Sequence, residues 1–249
     1  MKFDDFDKQM RVYETTNDTK VLPGIWIVSR LDGRNFTRLC RETVRFNAPF
    51  DERFRDLMTS TTAHLMDCGF KVVYGYTQSD EISLLFDFNI DVFGRKARKY
   101  ISILAAEASA KFSLMLNEIS PGVCAVFDCR LCQLPGKETA ADYFRWRAED
   151  AHRNALNSHC YWLLRKENMD AQDVTRYLEG KTVAEKNELL FSRGINYNDL
   201  PAWQKRGIGL YRTDGKIKID YELPFAGAYG DFLMNTALAD TQPEKAGSA

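Results

Sequence analysis

Two short acidic motifs in this sequence carry residue types suited to phosphoryl chemistry: Asp32-Gly33 and Ser79-Asp80-Glu81. Each borders a β-branched and aromatic run, so if those runs are neighbouring strands, two or three carboxylates converge on one edge of a sheet. Carboxylates so placed repel one another. A pair of divalent cations resolves the repulsion, because Mg²⁺ takes one or two carboxylates together with substrate phosphates. Two such ions about 4 Å apart clamp the attacking and leaving oxygens of the transfer. Gly33, lacking a side chain, lets its carbonyl approach an ion. The bland alternative is that Asp-Gly is a turn and Ser-Asp-Glu a solvated hairpin tip.

The elements that must position these motifs are legible from period and punctuation. Ile25 to Leu31 reads as a mostly buried strand between Pro23-Gly24 and Asp32-Gly33. Lys71 to Tyr76 and Ile82 to Phe88 read as a hairpin joined by Thr77 to Glu81, with Asp80 and Glu81 at its turn. From Asp51 to Asp67, Phe54, Leu57, Met58, Thr61, Leu65 and Met66 recur at helical spacing before a Gly69 cap. Arg95 to Asn117 and Ala140 to Lys166 predict two long helices, and Ala125 to Leu131 a further strand. The class implied is α+β, with helices on one face of a largely antiparallel sheet. No linker or repeat divides residues 6 to 233, so one domain is expected over 1–235, with a small, polar, flexible tail over 236–249.

Composition narrows the partners. The 249 residues carry 34 Lys+Arg against 35 Asp+Glu, a net charge of -1, with 45% hydrophobic and 28% charged residues. That excludes collagen-like, wholly disordered and polybasic classes, and any nucleic-acid contact must come from local patches. The acidic start lacks the basic n-region of a signal peptide, and no apolar run reaches the roughly 20 residues of a membrane span. The six cysteines are read as reduced thiols of a cytoplasmic protein.

Five blocks occur in the order seen in the tRNA(His) guanylyltransferase superfamily: DGRNF at Asp32, QSDEIS at Gln78, DYFRWRAEDAHRN at Asp142, KNELLF at Lys186 and GINYN at Gly194. Met10 to Glu14, Phe127 to Arg130 and the basic helix start Arg95 to Lys99 are weaker echoes. The sequence resembles that superfamily over about residues 9 to 209. The resemblance implies a palm domain similar to those of DNA polymerases and nucleotidyl cyclases, with a helical C-terminal extension, that adds nucleotides to tRNA 5′ ends in the 3′ to 5′ direction. It implies two Mg²⁺ ions held by Asp32, the Gly33 carbonyl and Asp80, with Glu81 as a supporting carboxylate. A 5′-monophosphate is first activated with ATP or GTP, and a 5′-triphosphate skips that step.

By the same resemblance Lys96 and Lys99 match triphosphate-binding positions, with Arg95 and Arg98 as a second rail. His152 and Asn154 match residues that help activation or hold the tRNA end. Lys186 and Asn198 match nucleotide or acceptor-end contacts, and Ser79 a nucleotide contact. Two departures matter. Where tRNA(His)-marking enzymes read HINNLYN, this chain has HRNALNS at His152 to Ser158, closer to guanylyltransferase-like proteins that repair 5′-truncated tRNAs. Before Pro49 a phosphate-binding lysine is replaced by Ala48, with Arg45 nearby.

The expected activity is therefore template-dependent 3′-to-5′ nucleotide addition to tRNA, using GTP, ATP or other NTPs, by a homodimer or homotetramer. The alternatives are addition of a single 5′ G to tRNA(His), a non-catalytic tRNA-binding protein and, more remotely, a nucleotidyl cyclase. Cys124, Cys129 and Cys132 imitate the spacing of an iron–sulfur ligand set but fall in and beside a strand, so they are read as core thiols. Phe144, Trp146, Tyr161 and Trp162 recur at helical spacing and are read as core rather than a base-stacking platform.

Overall fold

The computed structural model describes residues 1–239. One sheet holds β1 (Trp26–Gly33), β2 (Val72–Gln78), β3 (Glu81–Phe86), β4 (Phe127–Leu134), β5 (Ile208–Thr213) and β6 (Lys216–Asp220). Its order is β4-β1-β3-β2-β5-β6, with every neighbouring pair antiparallel. The helices are α1 (Phe3–Thr15), α2 (Phe36–Arg38), α3 (Glu52–Asp67), α4 (Ala97–Leu116), α5 (Lys137–Lys166), α6 (Ala171–Leu178), α7 (Val183–Phe191), α8 (Ala202–Arg206) and α9 (Gly227–Asn235). The α+β class with an antiparallel sheet is as expected.

Both sheet faces are covered, which corrects the expectation of helices on one face. Ile27, Leu31, Ile82 and Leu84 pack with α3 and α4 in one cluster. Trp26, Val28, Tyr74 and Leu85 pack with Phe144 of α5 and Tyr229 and Leu233 of α9 in another. Strands β1 and β3 are apolar on both alternating sets of positions, so each face needs its own cover. A third cluster joins the second half of α5 to α6 and α7.

The hairpin turn is tighter than expected. Thr77 and Gln78 continue the ladder opposite Ile82 and Glu81, leaving only Ser79 and Asp80 in the loop and Glu81 inside a strand. Of the tail expected over 236–249, Ala237 and Leu238 are buried against α9; residues 240–249 lie outside the described residues. Among the described residues no helix is long and apolar enough to cross a membrane.

Candidate active site

The strand register joins the two acidic motifs. Asp32 stands opposite Glu81 across β1 and β3, and the Gly33 N–H donates to the Asp80 carbonyl at 3.0 Å. Asp128 of β4 flanks Asp32 on the other side, so an acidic row crosses this end of the sheet. Ser79 holds Asp80 in place from the turn: its backbone has φ +52°, a left-handed conformation costly for a residue with a Cβ, and its hydroxyl donates to the Asp80 carboxylate at 3.1 Å. Burial raises the Asp80 pKa, and the charges of Asp32 and Glu81 raise it further. Gly33 is required sterically, since a Cβ there would stand 2.4 Å from the Phe36 ring. Phe36 in turn packs on Phe54, Phe112 and Phe127, tying the loop to the core.

Glu81, expected as a supporting carboxylate of the metal site, is held by two arginines. One carboxylate oxygen pairs with Arg30 and the other with Arg147 of α5 at 2.6 Å. Arg147 continues to Asp150 at 3.2 Å, and Asp150 accepts from Arg153 at 2.6 Å and from the Asn154 amide at 3.3 Å. Glu81 and Asn154 thus belong to one ion-pair chain that docks α5 on the acidic end of the sheet. Arg30 could have been found from sequence, since it lies two residues before Asp32 on a strand and shares its face. Arg147 carries no such local signal.

A pocket opens beside Asp80, with Ser79 and Asp80 on one wall and Phe46, Phe50, Trp162 and Trp203 supplying aromatic surface. Trp162 is therefore a pocket residue, and Trp146 is 53% exposed with Arg147 stacked on it; of the expected core aromatics, Phe144 is fully buried. Ala48 and Arg41 line this pocket, whereas Arg45 is not among its described lining residues. The Cys40 thiol in its wall is pushed up to about 12 by burial and the Asp80 charge, so it is protonated and unsuited to nucleophilic attack.

The basic helix start lies elsewhere. Arg95 is buried and donates to the carbonyls of Val21, Leu22, Ile25 and Ile90, at 3.1, 3.1, 2.8 and 2.8 Å. Its guanidinium is spent on the chain itself, which corrects its assignment as a phosphate contact. Lys96 pairs with Asp18 at 2.9 Å and Arg98 pairs with the same carboxylate; these cations hold the Asp18 pKa at about 2. Lys99 lies 5.7 Å from the Phe93 ring centroid. Arg95 and Lys96 adjoin the segment just before β1, whereas Asp32 is near its far end, roughly 20 Å along the strand. Among the described residues no contact joins Lys96 or Lys99 to Asp32, Asp80 or Glu81.

His152 packs between the Tyr197 and Phe225 rings, and burial, with Lys205 and Arg206 nearby, lowers its pKa, keeping it neutral at pH 7. The Asn198 carbonyl accepts from Lys205 at 2.7 Å, and the Lys186 carbonyl accepts from the Cys160 thiol at 3.4 Å. Among the described residues neither the Lys186 nor the Asn198 side chain contacts Asp32, Asp80 or Glu81. Cys129 and Cys132 pack in clusters on opposite faces of the sheet, an arrangement that cannot hold one metal cluster.

The sequence matches the family described as "Thg1: tRNAHis guanylyltransferase" over residues 7–135 and "Thg1 C terminal domain" over residues 138–245. It is 32% identical over 200 residues to the probable tRNA(His) guanylyltransferase of Drosophila melanogaster, covering 78% of this chain and 70% of that protein. It is 34% identical over 196 residues to its Mus musculus counterpart, covering 75% of this chain and 64% of that one. The fold superposes on a bacterial tRNA(His) guanylyltransferase-like protein in complex with ATP, with TM-score 0.80, 27% identity and 92% and 98% coverage of the two chains. On the Saccharomyces cerevisiae tRNA(His) guanylyltransferase the values are 0.75, 27%, 84% and 93%. With both halves of its sequence matched and its palm-like sheet shared with these structures, the chain belongs to the tRNA(His) guanylyltransferase family.

Proposed function

We propose that this chain transfers a nucleotide to the 5′ end of tRNA, and that the transfer takes place where Asp32 and Asp80 meet beside the aromatic pocket. The observation that carries this reading is the Gly33-to-Asp80 backbone bond, which places both carboxylates at one sheet end. Magnesium suits the donor chemistry: Asp32 lies close enough to Asp80 for its charge to raise the Asp80 pKa beside the effect of burial, and Mg²⁺ at phosphoryl-transfer sites takes one or two carboxylates and leaves its other positions to phosphates and water. Asp32, Asp80 and the Gly33 carbonyl would hold it, and when bound it supplies positive charge that stabilises the transferring phosphate. The chain's own work is positioning. Asp80 is fixed by the hairpin turn, Glu81 is neutralised by Arg30 and Arg147, and the pocket offers aromatic surface to a nucleobase.

The relatives' names support addition of a single G to tRNA(His). Template-dependent extension of shortened tRNAs is the second reading, favoured by HRNALNS at His152 to Ser158 and by the likeness to the bacterial guanylyltransferase-like protein. Template pairing would choose the base, leaving the protein to read stem shape and backbone. Incubation with tRNA(His) lacking its extra G, and with 5′-truncated tRNAs, each bearing mono- or triphosphate ends, separates the two by product size. One added G on tRNA(His) alone supports the first, and stepwise restoration of truncated ends supports the second. Absence of product from every substrate rejects both.

A further inference from the structure

We infer that Arg41 binds the phosphates of a nucleoside triphosphate in the pocket beside Asp80, an assignment that rests on reading that pocket as the nucleotide site. Two arginines are among its described lining residues, Arg41 and Arg55. Arg55 is occupied: it pairs with Asp56 at 2.8 Å and Glu52 at 3.2 Å, and lies over the Trp203 ring. Arg53 of the same helix is likewise taken by Asp51, at 2.7 Å. Arg41 has no hydrogen bond or carboxylate partner among the described residues, and its guanidinium lies 5.1 Å over the centroid of the Trp162 ring.

Stacking of that kind fixes the plane of a guanidinium while leaving its five in-plane donors free, the arrangement suited to gripping phosphate oxygens two at a time. The carboxylates of Asp80 and Asp51 line the same pocket, that of Asp51 being paired with Arg53. The Cys40 thiol in the same lining registers both charges: burial and then Asp80 raise its pKa, and Arg41 lowers it. A triphosphate approaching Asp80 meets repulsion, and among the described lining residues Arg41 is the cation not already neutralised by the protein. Trp162 then serves as the support of a phosphate-binding arginine.

The test is isothermal titration calorimetry of the full chain with GTP, ATP and guanosine, on the parent, Arg41→Ala and Arg41→Lys. The alanine variant should bind both triphosphates at least about tenfold more weakly, with guanosine affinity and melting temperature unchanged. Lysine should restore part of the loss, since it keeps the charge without the fork. Unchanged GTP affinity in Arg41→Ala overturns the assignment and leaves the nucleotide site standing. Equal weakening of GTP and guanosine also overturns it, because the residue then acts on the nucleoside. A parent chain that binds none of the three removes the nucleotide site and the Arg41 assignment together.

Discussion

Asp80 works against the stability of the fold that carries it. Its carboxyl is buried beside Asp32 and Glu81, so its pKa lies above the ordinary value and its charged form is disfavoured in the folded state. The folded chain therefore holds this proton more tightly than the unfolded chain. The destabilisation is fully present above the folded pKa and is relieved as the pH falls through it. Asp80→Asn should consequently melt at a higher temperature than the parent at pH 7, while nucleotidyl transfer slows by at least about a hundredfold, roughly 3 kcal/mol of barrier. Single-turnover kinetics and thermal melts on the same preparations check both, and a variant as fast as the parent would reject the carboxylate assignment. Magnesium chloride should raise the melting temperature of the parent, and more so than that of Asp80→Asn, by linkage. Equal shifts in the two chains would show that the cation binds elsewhere.

Among the elements, α5 is seated by charge as well as by apolar packing. Arg147 is 9% exposed in its side chain and bridges Glu81 to Asp150, so removing it leaves carboxylates without their counter-charge. Arg147→Ala should cost about 3 kcal/mol in urea unfolding, and replacing Glu81 and Arg147 together by leucine should cost less than the sum of the single changes. Additive costs would mean that the pair is not coupled. Strand β1, the hairpin and helices α3, α4 and α5 were all readable from local period and from turn residues. The cover on the second sheet face was not, because an apolar strand does not reveal how many neighbours it has. Nor was the role of Glu81: its partners lie 51 positions before it and 66 after it, a separation over which local pattern carries no information. Arg95 misled for the opposite reason, since a basic run looks alike whether its charges face water or satisfy buried carbonyls.

At the scale of the whole molecule, the acidic motifs and the Lys96–Lys99 patch occupy opposite ends of the sheet, in a chain of net charge -1. On the proposed reading a nucleotide occupies one end, and an extended polyanion or another subunit would connect the two. Lys96→Ala should leave GTP affinity unchanged, weaken tRNA binding across sequences, and reduce the slope of log affinity against log salt by about 1. Filter binding at several salt concentrations measures this, and an unaltered slope would separate the patch from RNA.

The bond from Gly33 to Asp80 has one more consequence. Main-chain atoms, which no substitution at Asp80 removes, set the separation of β1 from the hairpin tip. A chemically silenced chain such as Asp80→Asn should keep its architecture and its grip on RNA while stalling before product forms. That makes it the natural bait for trapping a loaded complex for crystallography or cryo-microscopy.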